Sequence, residues 1–390
     1  MPSLAPYFVY QATAGAVFSQ AVFVVFYQER VGLSLAAVLW LQSYFVLVRA
    51  LLDVPFGALA DRVSRRLCLV ASGVVLAVGS AGILWWPSVG MAVVLETLLA
   101  MVSALRSGAD SALLYDTLDA AGALDRYPRA ESLSQAITSL GSGAVAIAGS
   151  ILAAHDLAWP YVANIAAGSA TVVAAACLRE PPRHHRTRGV LRDAGRVVAR
   201  TPAVRWTIAL AALVVSASHV YFFLQQPYLR AVGVPLALFG AVVAATKVVT
   251  AVVATGAHRI ESRLGVRGSA ALMAAVPVVG LGAMAAVASP AGALFILTRG
   301  VLDGLWMPLL NVLMNRLVDS ELRATILTVQ SLVSRLALAS VVGLCGVATA
   351  HVGLDATLAV AAATSLVLGA ALVAMTPRLP ERSRVIADRA

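Results

Sequence analysis

Residues 57–66 read Gly57-Ala58-Leu59-Ala60-Asp61-Arg62-Val63-Ser64-Arg65-Arg66. Apolar residues run up to Ala60 and resume at Leu67. Lys and Arg collect in the short cytoplasmic connections of membrane proteins. A turn this short and basic, between two apolar runs, therefore reads as a cytoplasmic hairpin joining two membrane-spanning helices.

Composition supports a bilayer. The 390 residues are 60% hydrophobic and 12% charged, where soluble domains carry about 25% charged residues. The net charge of +10 does not point to nucleic acid, because the basic residues sit mainly between apolar segments. Cys68, Cys177 and Cys345 lie in or beside apolar segments, form no metal-ligand spacing and are expected as free thiols. No basic stretch precedes the first apolar segment and eleven more follow, so it is expected as a retained helix.

A crossing needs about 20 apolar residues. Charge clusters, Pro and Gly divide the chain into spans at about 7–27, 35–60, 67–86, 90–117, 132–154, 159–178, 203–226, 235–257, 268–288, 291–315, 324–350 and 356–376. Helices are expected throughout, since backbone in lipid must satisfy its own hydrogen bonds. Lys and Arg outside the spans gather after even-numbered spans and in the tail, with only Arg30 and Arg230 after odd ones. Both termini are therefore expected in the cytoplasm. Trp85, Trp86 and Trp159 fall at outer span ends and Trp206 at an inner one, as an aromatic belt requires.

The domain reading is an N-terminal six-helix bundle over 1–178, a cytoplasmic linker over 179–202, a second bundle over 203–376 and a cytoplasmic tail over 377–390. The linker holds His184-His185 and a basic amphipathic run, Val190 to Val198, suited to the anionic inner leaflet. An isolated His pair on a loop is expected to bind no metal. The halves echo each other. Arg106 and Asp110 in span 4 match Arg299 and Asp303 in span 10, offset by 193 residues. Arg49 is echoed by Lys247 and Gly57 by Gly256, and parallel repeats of this kind mark one transporter architecture.

Gly57, Asp61, Arg62, Arg65 and Arg66 resemble the signature between helices 2 and 3 of the major facilitator superfamily, Gly-x-x-x-Asp-Arg-x-Gly-Arg-Arg, with Ser64 where the family usually has Gly. The resemblance covers the whole chain. It implies an all-α membrane fold of twelve helices in two pseudo-symmetric bundles. It also implies a cytoplasmic latch of Gly57, Asp61, Arg62, Arg65 and Asp116. Asp53-Val-Pro55-Phe-Gly57 with Ser107-Gly108 and Tyr115-Asp116 is similar to a bacterial subgroup of exporters, with Phe56 in place of Thr. Span 5 carries Gly141-Ser-Gly143 and lacks the Pro of the family's exporter motif.

Charges in hydrocarbon cost about 2.5–3.5 kcal/mol each on insertion scales, so spans keep them when paired, hydrated or useful. Arg49–Asp53, Arg106–Asp110 and Arg299–Asp303 have i, i+4 spacing, which puts opposite charges about 6 Å apart on one helical face. They read either as self-neutralising pairs or as carboxylates exchanging a proton for an Arg. Proton-coupling candidates are Asp110, Asp303, Asp53 and Glu96; Glu96 would alternatively partner a Tyr or Gln of another helix. Substrate-binding candidates are Arg106, Arg299, Lys247, Gln20, His219, Tyr221, Gln225 and Trp306, with helix–helix contact as the competing reading of the polar and aromatic ones.

The resemblance implies a secondary transporter of the bacterial inner membrane, working by alternating access as a monomer among membrane lipids. Proton-coupled efflux of a small molecule is the first expectation. An uptake symporter or facilitative carrier for an anionic or zwitterionic metabolite is the second. No cofactor, metal or nucleic acid is expected, and no enzyme motif such as Gly-x-Ser-x-Gly or His-Glu-x-x-His occurs.

Overall fold

The computed structural model describes residues 4–62, 64–106, 109–180, 198, 200–318 and 320–377. Several side chains within 54–62 and 315–324 lie outside that description, as do the linker histidines and most of the basic run beside them. Helices and turns make up the described residues, with no strand among them. In chain order the helices are α1 (Ala5–Ala14), α2 (Phe23–Glu29), α3 (Leu35–Arg62), α4 (Arg65–Trp85), α5 (Val89–Arg106) and α6 (Ala109–Ala120). They continue with α7 (Tyr127–His155), α8 (Trp159–Ala176), α9 (Pro202–Ala231), α10 (Phe239–Ala286), α11 (Thr298–Leu317) and α12 (Ser320–Ala374).

By length and composition eight helices can cross a membrane, or nine with the bent pair Ala5–Ala21 and Phe23–Glu29. Two of the eight cover 51 and 50 residues, each long enough for two crossings. They turn back at Gly265, with φ 64°, and Gly353, with φ 80°. A residue there breaks the helical ladder, and only glycine adopts it without a Cβ clash.

Not every span is a straight helix. The first is broken: α1 ends before Gly15, a 3₁₀ turn covers Phe18–Ala21, and α2 leaves at 47°. The fourth is one apolar span, Val89–Ala120, of which α5 and α6 are the described parts.

The chain forms two compact units, one of Met1–Arg186 with Leu229–Lys247, the other of Thr187–Tyr228 with Val248–Ala390. In the first unit, α4 and α8 meet backbone to backbone. A Cβ on Gly73 would stand 2.6 Å from the Gly168 carbonyl oxygen, and one on Gly168 2.7 Å from that of Gly73. Small residues permit this approach. The segment Leu229–Lys247 joins the same unit through Ser150 Oγ, which donates to the Ala237 carbonyl at 2.9 Å, and through an Arg230–Glu29 ion pair.

In the second unit, Trp206 is buried in an apolar cluster with Leu302, Trp306 and Leu313, and its Nε1 donates to the Leu372 carbonyl at 2.8 Å. It is thus a core residue, which corrects its assignment to an interfacial belt: its N–H is satisfied by a carbonyl of α12 instead of water. Trp85, Trp86 and Trp159 are exposed. All three cysteines are free.

Candidate functional site

In the first unit, burial selects Glu96. It lies on α5 with 5% of its surface exposed. Tyr27 Oη donates to its Oε1 at 2.7 Å and Gln42 Nε2 to the same oxygen at 2.9 Å. Both donors are buried and neutral, and Glu96 takes part in none of the ion pairs among the described residues. Two hydrogen bonds orient the carboxyl, yet nothing neutralises its charge. A carboxyl so placed exchanges protons when water or a cation reaches it.

Nearly three helical turns further along α5, Arg106 Nη1 donates to the carbonyl of Ala14 at 2.8 Å. That carbonyl ends α1, where the backbone lacks a helical partner and carries partial negative charge. The guanidinium lies 6.0 Å from the centre of the Tyr10 ring. Asp110 Oδ1 accepts from the backbone N–H of Ser111 at 2.8 Å. Arg106 and Asp110 form no ion pair with each other among the described residues. Asp53 is half-buried on α3, one turn after Arg49. Gln20 Nε2 donates to the Ser142 carbonyl at 2.8 Å, tying the first span to α7.

The basic turn holds its shape through charge. Arg65 pairs with Asp116, and both are largely buried. Ser64 caps α4, its Oγ accepting from Leu67 N at 3.2 Å and donating to Glu180. Arg65 N also donates to Glu180 Oε1 at 3.0 Å, and Arg66 Nη2 to the Ala176 carbonyl at 2.5 Å. Sequence reasoning missed Glu180, whose signal is an acidic residue directly after span 6. The side chains of Gly57, Asp61 and Arg62 lie outside the described residues.

In the second unit, the equivalent charges meet. Arg299 Nε stands 3.4 Å from Asp303 Oδ2 on α11. Ser218 Oγ of α9 donates to Asp303 Oδ1 at 2.5 Å, and Arg299 Nε lies 3.3 Å from the same hydroxyl. The guanidinium sits over the Phe222 ring at 5.1 Å, a cation–π geometry. Ser218, Phe222 and Gln225 recur along one stripe of α9. Gln225 is 1% exposed, and neither its amide nitrogen nor its oxygen makes a hydrogen bond. His219 Nδ1 is 2.8 Å from the Val215 carbonyl on its own helix. Tyr221 Oη lies 2.9 Å from Thr298 Oγ1. Trp306 packs in the apolar cluster. Lys247, the last residue of the segment that joins the first unit, is half-buried on α10. Ser218, like Tyr27 and Gln42, was not singled out by sequence reasoning; each is a polar residue within an apolar run.

A cavity of about 590 Å³ opens within this unit, with Ser216, Val220, Leu281, Val341, Cys345 and Thr357 among its lining. No charged residue lines it. Among the described residues no group of three or more His, Cys, Asp or Glu could hold a metal ion.

Long apolar helices carrying buried charge in two units define a multi-pass membrane protein of the transporter class. The chain belongs to the Major Facilitator Superfamily, whose family model matches residues 7–344. No curated protein matches it. Among solved structures it is similar to a mutant of the nucleoside transporter NupG, at 10% identity and a TM-score of 0.80, covering 96% of this chain and 100% of that one. It is also similar to the D-xylose-proton symporter, at 13% identity and a TM-score of 0.76, covering 96% and 97%. A bacterial homologue of the human lysosomal transporter Spinster, inward-facing and unoccupied, matches at 16% identity and a TM-score of 0.65, covering 96% and 94%. At these identities the likeness is one of fold.

Proposed function

We propose that the chain is a proton-coupled secondary transporter of the bacterial inner membrane, exporting a small amphiphilic molecule by alternating access between two six-helix bundles. In this reading both termini are cytoplasmic and the protein works as a monomer. Glu96 carries the reading: a buried carboxyl held by Tyr27 and Gln42 without a cation. Such a group takes up a proton where the pathway opens to acid and releases it on the other side. Asp303, already beside Arg299, would exchange that partner for a proton, and Asp110 and Asp53 would add carboxylates in the first unit. Gln225, with its whole amide unspent, would bind a polar group of the cargo. The apolar cavity would suit the cargo's hydrophobic part.

The rival reading is an uptake symporter or facilitative carrier. It draws on the absence of proline from Gly141–Gly143 of α7 and on a structural neighbour that is itself a proton symporter. Inverted vesicles energised by an imposed proton gradient, compared with right-side-out cells, separate the two. Export predicts that a compound from a metabolite and drug panel accumulates in inverted vesicles and dissipates the gradient. Accumulation in cells alone would reverse the direction.

A further inference from the structure

Three helical stripes line the cavity of the second unit and shape it into a slot. α9 contributes residues within 209–220. The two limbs of α12, before and after Gly353, contribute residues within 333–348 and 357–372. The lining includes Ala212 and Ala217, Ala337 and Ala348, and Ala361 and Ala371, side chains too small to fill the space between the helices. Along the second limb the lining rises about 22 Å, most of the roughly 30 Å of a hydrocarbon core. The slot holds about 590 Å³, within the range of sites for drug-sized ligands. Packed interiors leave few voids larger than a water molecule, because unfilled walls lose their dispersion contacts. A slot this long calls for an occupant.

One wall carries a polar anchor. Ser216 lines the slot, is 6% exposed, and its buried Oγ makes no hydrogen bond. A helical Ser or Thr can spend its hydroxyl on the carbonyl one turn before it. Thr357 and Ser365, also in the lining, do so, donating to the Gly353 and Ala361 carbonyls at 2.7 and 2.8 Å. Ser216 keeps its donor, at the middle of α9 and so near mid-depth in the membrane. No charged residue lines the slot, which disfavours an ionic ligand there. Leu344, Val360, Leu368 and Met375 line it and are exposed. Exposed apolar side chains along a span meet lipid, so the slot is entered from the bilayer. We propose that it binds a neutral, elongated molecule drawn from the bilayer, whose hydrogen-bond acceptor takes the Ser216 hydroxyl. A phospholipid chain does not meet this description, because it offers Ser216 no acceptor at that depth. This deepens the transport reading and rests on it only for calling the ligand cargo.

The test is photolabelling of the purified full chain in phosphatidylcholine vesicles. One probe is diheptyl ketone with a diazirine in one chain, which places its carbonyl at mid-length. The others are pentadecane and phosphatidylcholine carrying the same diazirine. Peptide mapping should place the ketone label within 209–220, 333–348 and 357–372, saturating and competed by unlabelled diheptyl ketone. Ser216→Ala removes a hydroxyl that has no partner in the fold, so the protein stays intact. It should weaken ketone capture about fivefold and leave pentadecane capture unchanged. Ala361→Leu fills the slot and should lower the capture of both. Where overpacking stops that variant from folding, Ser216→Ala still decides. The proposal is overturned if the ketone label spreads evenly over the exposed apolar faces of other spans, if the phosphatidylcholine probe labels the three stripes as strongly, or if Ser216→Ala binds the ketone as the wild type does. Transport of a compound in inverted vesicles without saturable labelling would remove the slot and leave the transporter. Saturable labelling without transport would do the reverse.

Discussion

Arg106–Asp110 and Arg299–Asp303 are the same four-residue spacing on equivalent spans, yet only the second is a closed pair. Asp303 has its arginine at 3.4 Å and a serine hydroxyl at 2.5 Å. Asp110 has a backbone N–H, and its arginine faces a carbonyl of another helix. The difference lies in the partners within reach. α11 runs unbroken from Thr298 to Leu317, so side chains four apart share a face, and Ser218 of α9 touches both groups. Arg106 instead reaches the carbonyl that ends α1. One unit thus closes its charge pair, while the other spends its arginine on the backbone. Four-residue spacing permits a pair, and the neighbouring helices decide whether it forms.

The largest effect is expected in transport. Glu96→Gln keeps an oxygen for Tyr27 and Gln42, so the fold should hold, with a stability change under about 1 kcal/mol. The proton site is gone, and proton-driven flux should fall at least about tenfold while downhill exchange persists. Asp110→Asn should likewise abolish proton-driven transport and spare expression. Unchanged pH-dependent flux in either variant would remove that carboxyl from the coupling.

Next comes the closed pair itself. Asp303→Ala strands Arg299 among buried groups. Since the Asp303 side chain is 29% exposed, the cost belongs at the low end for buried pairs, about 2 kcal/mol. A double-mutant cycle on unfolding should give about 1–2 kcal/mol of coupling for Arg299–Asp303, and under about 0.3 kcal/mol for Arg106–Asp110. Equal couplings would erase the contrast between the units. Gln225→Leu moves the other way: it replaces an unsatisfied amide by an apolar isostere and should stabilise by about 1 kcal/mol. If Gln225 binds cargo, the same variant loses affinity.

Local patterns were legible in the sequence. Hydropathy marked where helices run, and the ten residues around Asp61 marked the family. Ser64, odd by the family's pattern, is intelligible as a cap whose hydroxyl also reaches Glu180. Arg299–Asp303 was legible because both lie on one helix. What escaped were partners far apart in the chain. Tyr27 and Gln42 lie 69 and 54 residues before Glu96, and no periodicity within a helix records which neighbour a polar side chain faces. The bend between α1 and α2 also escaped, because hydropathy stays apolar through it. Trp206 looked interfacial from its place near a span end, but its depth is set by α12 packing across it.

The smallest effect tests the comparison at its exposed limit. Arg30 and Asp156 pair in the connections that follow α2 and α7, with 46% and 43% of their side chains exposed. The Ala158 backbone N–H, at 2.8 Å from Asp156 Oδ1, is the larger influence on that carboxyl, and Arg30 adds to it. Together they hold Asp156 below its ordinary 3.8. A depressed carboxylate contributes stability that is present above its unfolded value and lost as pH falls through its folded one. Asp156→Asn should therefore lower the unfolding midpoint slightly at neutral pH, and the gap from wild type should close as pH falls through the depressed value. Added salt should shrink the Arg30 part and leave the Ala158 part, because screening weakens exposed ion pairs more than a short hydrogen bond. The Arg299–Asp303 coupling, shielded by its helices, should change less with salt over the same range. A salt response as large at Asp303 as at Asp156 would mean that water reaches the buried pair as freely as it reaches the connection.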